Sequence, residues 1–147
     1  MFTRIHCAVD ESEGARRALA HAAALSEVLD VPLSLVYVAP DGPYPGTDRA
    51  AVERGRHAGW EAGQLLFAEL RDELALGPDT TGVVLHGPAG ERLVEFSEDD
   101  DLDLLIVGSR GHGGLRRVVL GSVSAHVSRR AACPVRRWLP VVSPGRC

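Results

Sequence analysis

Leu104-Leu-Ile-Val-Gly108-Ser-Arg110-Gly111-His112-Gly-Gly-Leu-Arg116-Arg117-Val-Val-Leu-Gly121-Ser122-Val123-Ser124 is the stretch from which the fold is read. Its first four residues are an unbroken apolar run, as suits a strand buried on both faces. A glycine-rich segment follows, and a helix is expected from about Ser122 to Ala131. Pro134 then precedes a possible last strand.

The same order, strand then helix, recurs upstream. Phe2 to Val9 reads as a short strand ending at Asp10. Ser12 stands where an N-cap belongs, ahead of Ala15, Leu19, Ala22, Leu25 and Leu29 at helical spacing. Pro32 breaks that pattern, and Leu33 to Val38 reads as a second strand. Pro40 to Gly46 holds three prolines and two glycines and reads as a loop. From Asp48 to Leu76 the pattern is helical again, with Val52, Trp60, Leu65, Leu66, Phe67, Leu70 and Leu74 on one side. Gly77-Pro78 is expected to end it. Gly55, Gly59 and Gly63 fall four apart in this helix and read as tolerated glycines, not as a packing contact. Thr81 to His86 is a third strand, followed by a short helix carrying Leu93, Val94 and Phe96. This repetition predicts one α/β domain, an open five-stranded parallel sheet with helices on both faces, over residues 1–142, with a short tail at 143–147.

Length and charge agree with that and narrow the function. A chain of 147 residues suits one domain. With 45% hydrophobic and 24% charged residues it has the composition of an ordinary globular protein. All 16 cationic residues are arginine, so every mechanism that needs a lysine is excluded, the P-loop and the Schiff base among them. All 20 acids precede residue 104, and eight arginines follow it. A cationic final third invites a phosphate-bearing partner. Three cysteines, Cys7, Cys133 and Cys147, form no metal or redox spacing, and no apolar run is long enough to span a bilayer. A cytoplasmic setting without membrane attachment is expected.

In open α/β sheets ligands bind beyond the carboxyl ends of the strands. Asp10, Val38, His86 and Gly108 all lie at that edge by this reading, and Asp10 is placed for the hydroxyls of a sugar. Asp99, Asp100, Asp101 and Asp103 precede the fourth strand, so they fall at the opposite edge and read as a solvated turn. Glycines let backbone N–H groups line an anion site, and a helix opening at Gly121-Ser122 favours a phosphate. A helix dipole supplies only about 0.3–2 kcal/mol, whereas micromolar affinity needs about 8 kcal/mol, so a base and a sugar must be held too. The segment is neither a Walker A loop nor a nucleophile elbow.

These residues resemble the universal stress protein family in its ATP-binding branch. Gly108, Gly111, Gly121 and Ser122 match G-x2-G-x9-G-[ST] without a gap. Ala-Val-Asp10-Glu-Ser, Asp-Leu-Leu-Ile-Val-Gly and Ala-Cys-Pro-Val are similar to the family as well. The resemblance covers essentially the whole chain and is weakest at 40–80. It implies an adenine nucleotide such as ATP, with Mg²⁺ or Mn²⁺ carried by its phosphates. It implies that Asp10 contacts the ribose and that the Val38 backbone bonds the adenine. Gly108 would meet the ribose, and Gly111, Gly121, Ser122 and Val123 the phosphates. Arg110 and Ser124 complete the expected nucleotide-binding set, and neither catalytic nor metal-ligating residues are assigned. The expected function is that of a stress-response regulator acting through nucleotide-dependent interactions. Slow ATP hydrolysis or self-phosphorylation, and a protein-interaction module that binds no nucleotide, are the alternatives. A homodimer is expected, although Val135-Arg-Arg-Trp138-Leu-Pro departs from the apolar last strand that usually pairs two subunits. Only Trp138 accompanies the late arginines, which argues against nucleic acid.

Overall fold

The computed structural model describes residues 2–41, 48–99, 103–108 and 120–138; the side chains of 120–122 and 138 are outside the description. Nine elements alternate along the chain: β1 (Ile5–Ala8), α1 (Glu13–Leu29), β2 (Leu33–Ala39), α2 (Arg49–Leu74), β3 (Thr81–His86), α3 (Ala89–Phe96), β4 (Leu104–Gly108), α4 (Leu120–Arg130) and β5 (Val135–Trp138). The strands form one sheet in the order β3-β2-β1-β4-β5, and every ladder is parallel.

The Leu104–Val107 run behaves as its composition requires. Leu104 and Ile106 enter a core shared with Ile5, Cys7 and Leu35, with Leu19 and Ala22 of α1, and with Phe67 and Leu70 of α2. Leu105 and Val107 enter the opposite core, with Val36, Leu93 of α3 and Val127 of α4. Alternation along a strand thus serves two helical layers at once. Burial pushes the Cys7 thiol well above its ordinary range, which fixes it as a core residue.

Helix α1 starts where its sequence says. The Ser12 hydroxyl accepts from the Ala15 N–H at 3.1 Å. Arg16 then reaches across to α2, bonding Glu69 at 2.8 Å and Glu73 at 2.9 Å. β1 is shorter than expected, Ile5–Ala8 in place of Phe2–Val9, because Thr3 and Arg4 pair elsewhere. The Asp103 carboxylate accepts from the Thr3 N–H and hydroxyl, and from the Arg4 N–H at 3.2 Å. Asp103 is therefore a clamp on the N-terminal segment, whereas the sequence reading treated it as part of a solvated turn.

Two expectations about α2 are corrected. Gly59 and Gly63 are packing positions: a Cβ at 63 would lie 2.5 Å from Val84 Cγ2 and 2.9 Å from Tyr37 Cδ1. At 59 it would meet the Ala39 Cβ at 2.8 Å. Only glycine lets the helix lie this close to β2 and β3. The helix also stops before Gly77. Its left-handed cap is Ala75 (φ 49°), whose neighbour Leu76 donates to the Arg71 carbonyl at 3.1 Å. A Cβ at Gly77 would meet nothing within 4 Å, so no close packing requires glycine there.

Three outcomes are expected from these contacts. Ala75→Gly should raise stability by about 0.5–1 kcal/mol, since the left-handed conformation penalises a Cβ by about 1–2 kcal/mol and the looser unfolded chain returns part of it. Gly63→Ala should lower stability by about 1–2 kcal/mol, because overpacking against Val84 and Tyr37 outweighs the roughly 1 kcal/mol gain in helix propensity. Urea unfolding of each variant checks both. Hydrogen bonds from Thr3 hold the Asp103 carboxyl below its usual range. Its stabilisation is therefore present above the unfolded-state value, about 3.9, and is lost as pH falls through the depressed folded-state value. The difference in melting temperature between the wild type and Asp103→Asn should be visible at pH 7 and should shrink steadily as pH falls below the unfolded-state value of about 3.9.

Candidate functional site

The order of strands reverses at β1: the chain runs outward through β2 and β3, then returns to the other side of β1 with β4 and β5. The crevice between the carboxyl ends of β1 and β4 is thus the switch point at which α/β sheets accept ligands. Asp10 lies two residues beyond β1, inside this crevice. Its Oδ1 accepts from the Ser12 N–H at 2.8 Å, so the turn into α1 fixes the carboxylate at the edge of the sheet.

Val38 and Gly108 flank Asp10 from either side. In an extended strand, successive residues turn their N–H and C=O groups to alternate neighbours. The Ala39 carbonyl accepts from Gly87 beside β3, and the Val36 carbonyl accepts from the Val9 N–H beside β1. Val38 therefore turns its backbone groups to the β1 side, above that last rung. On β4, Leu105 donates to the Pro134 carbonyl on the β5 side. Gly108, three residues on, turns its own groups back toward β1. The two backbone edges and the carboxylate converge on one crevice.

Gly108 has a second reason to be glycine. A Cβ there would lie 3.1 Å from the Gly14 carbonyl oxygen and 3.4 Å from the Ala15 nitrogen, backbone atoms of the first turn of α1. Close packing of strand on helix favours the missing side chain, whatever binds above it. Gly14 is the partner that sequence reasoning passed over, and its only signal was the small pair Gly14-Ala15 directly after the N-cap.

The remaining expected residues divide. Arg110 and Gly111 lie outside the described residues. Gly121 and Ser122 are in the first turn of α4, where N–H groups are free of intrahelical partners, and Val123 completes that set of four N–H groups. The Val123 side chain packs against the core between the sheet, α3 and α4. Ser124 lies one residue beyond the free N–H groups, and its side chain is 1% exposed. His126 is a packing residue, with its ring against Gly90 of α3.

Tyr37 is a further group that the sequence did not single out. Burial raises its phenol above the ordinary value, and the carboxylates of Glu11 and Asp10 add to the shift. The ring lies against Gly63, which gives it room beside α2. Helix α2 also continues past the sheet. Gly59 sits against Ala39 and next to the His86 ring, at the ends of β2 and β3. The Arg56 carbonyl is 2.9 Å from the His86 ring nitrogen, so the first turns of α2, N-terminal to Arg56, extend beyond the carboxyl edge on its β2–β3 side.

Comparison with known proteins agrees with this architecture. The family model described as the universal stress protein family matches residues 1–136. Universal stress protein MJ0531 of Methanocaldococcus jannaschii is 28% identical over 92% of this chain and 81% of its own length. Universal stress protein Slr1230 of Synechocystis is 31% identical over 91% of this chain, which spans 42% of that longer protein. Among solved structures, UspA of Lactobacillus plantarum superposes with a TM-score of 0.77 at 22% identity, covering 94% of this chain and 98% of that one. Others were solved with nucleotides. A universal stress protein in complex with cAMP has a TM-score of 0.63 at 17% identity (94% and 97% covered). The Archaeoglobus fulgidus protein in complex with dAMP has 0.57 at 23% (92% and 97%). An Arabidopsis thaliana protein with AMP bound has 0.57 at 20% (97% and 96%). With the matching family model extending over nearly its whole length, the chain belongs to the universal stress protein family.

Proposed function

We propose that this protein binds an adenine nucleotide across the carboxyl ends of β1, β2 and β4, and that the bound nucleotide alters its interactions in a cytoplasmic stress response. The observation that carries the reading is the pair of backbone edges, at Val38 and at Gly108, that turn toward β1 on either side of Asp10. A purine offers a donor and acceptor edge that a strand can match, and a ribose offers hydroxyls that a carboxylate accepts from. The α4 terminus supplies free N–H groups for phosphate. Family relatives solved with AMP, dAMP and cAMP support the adenine assignment. ATP is the form suggested by the glycine spacing Gly108, Gly111, Gly121, with Arg110, Ser122 and Val123 beside its phosphates. A divalent cation, Mg²⁺ or Mn²⁺, would be held by those phosphates; among the described residues no group of His, Cys, Asp or Glu is arranged to hold one.

Among the described residues no helix is long and apolar enough to cross a membrane. Self-association is part of the proposal, through a face other than β5. That edge strand exposes Arg136 and Arg137, and a second copy of it would bring four arginines together. Catalysis is not part of the proposal.

The test is to release small molecules from freshly purified protein, identify them by mass, and titrate the stripped protein with ATP, ADP and AMP. Asp10→Asn keeps an oxygen for the Ser12 N–H and removes the charge, so it should weaken binding by about tenfold. Gly121→Val with Ser122→Ala should abolish binding while circular dichroism stays unchanged. Unaltered affinity in the double variant would sink the proposal, and a wild type that binds no adenine nucleotide would leave a protein-interaction module in its place.

A further inference from the structure

A cleft of about 420 Å³ opens at the amino-terminal edge of the sheet, opposite the crevice described above. Helices α1 and α2 both end over it, at Asp30 and Ala75, and the first residue of β2, Leu33, forms part of its floor. The volume falls within the range of small-molecule sites, roughly 300–1,000 Å³.

The chemistry of the lining is one-sided. Glu27, Asp30 and Asp79 line the cleft, and none of them forms an ion pair among the described residues. Two helix C-termini add partial negative charge, and α1 has no basic residue in its last turn to offset it. Arg71 of α2 is turned to the Thr80 carbonyl at 2.8 Å and does not line the cleft. Thr80 does line it and is 8% exposed. The hydrogen bonds of Thr80 run through its backbone, N–H to Gly77 and carbonyl from Arg71, and its hydroxyl has no partner among the described residues. A nearly buried donor and acceptor is thus available to an occupant.

The three carboxylates do not converge. Among the described residues no three His, Cys, Asp or Glu side chains are close enough to hold a metal ion. Between the charges lie apolar side chains, among them Leu74 and Leu76. Separated anions with an apolar floor suit an extended cation with an alkyl stem, not a compact ion.

We infer that this cleft binds an aliphatic diamine or polyamine, its ammonium groups on Glu27, Asp30 and Asp79 and its methylenes on the floor between α1 and α2. The inference is independent of what occupies the opposite edge.

The experiment titrates the full chain with spermidine at low salt, by calorimetry and by amide chemical shifts, with magnesium chloride as the comparison. Shifts should be confined to residues 26–33 and 74–80, and magnesium should not reproduce them. Asp30→Asn with Asp79→Asn should weaken spermidine by about tenfold; asparagine is tolerated in the left-handed conformation at position 30. Glu53→Gln with Glu61→Gln removes equal charge from the exposed face of α2 and should leave the affinity within about twofold. Equal weakening by both double variants, or wild-type shifts scattered over all acidic surfaces, would reduce the effect to a diffuse counterion atmosphere and overturn the site. The wild-type shift map decides the matter even if a variant fails to fold.

Discussion

The absence of a side chain at Gly108 is the constraint on which the rest depends. Backbone meets backbone there: the end of β4 lies directly against the first turn of α1, with Gly14 and Ala15 facing it. Because the two elements meet without spacers, Asp10 and the Ser12 cap are carried to the mouth of the β1–β4 crevice. A methyl group at 108 would sit 3.1 Å from the Gly14 carbonyl oxygen, so the first turn of α1 would have to give by a few tenths of an ångström. Strand order, cap and crevice are parts of one contact.

Much of the fold was legible in order and pattern. The apolar run at 104–107, the cap at Ser12 and the strand at Thr81–His86 are local signals, and local signals fix elements. What stayed hidden depends on residues distant in sequence. Gly59 and Gly63 look like weak helix residues until Val84, Tyr37 and Ala39 are set beside them. Asp103 looks like one acid of a solvated run until Thr3 arrives to be bound. Ala75 in a left-handed cap runs against propensity, because Leu76 closing on Arg71 ends the helix before the glycine is reached. The placing of Asp10, Val38, His86 and Gly108 at one edge of the sheet was legible from strand ends alone. The burial of Ser124 was not, since position in a helix does not disclose which face the neighbours cover.

The uneven charge along the chain also acquires a spatial meaning. The arginines after residue 104 include Arg129 and Arg130 in the last turn of α4, where they complement that helix end. At the corresponding end of α1 there is no such cation, and acids gather there instead. The two helix ends at the amino edge of the sheet therefore differ in charge, α4 closing on arginines and α1 on acids.

Ile5 pairs with Leu33 on one side and with Leu104 on the other, partners about thirty and about a hundred residues away. During synthesis β1 can acquire its first neighbour early, but its second edge stays open until most of the chain has emerged. Closing so long a loop is entropically costly, and parallel pairing of this kind is intrinsically slow. The half containing β1, β2 and β3 must wait with β1 as a bare apolar edge strand, so assembly of the β4–α4–β5 unit onto that edge sets the pace at which the molecule escapes aggregation.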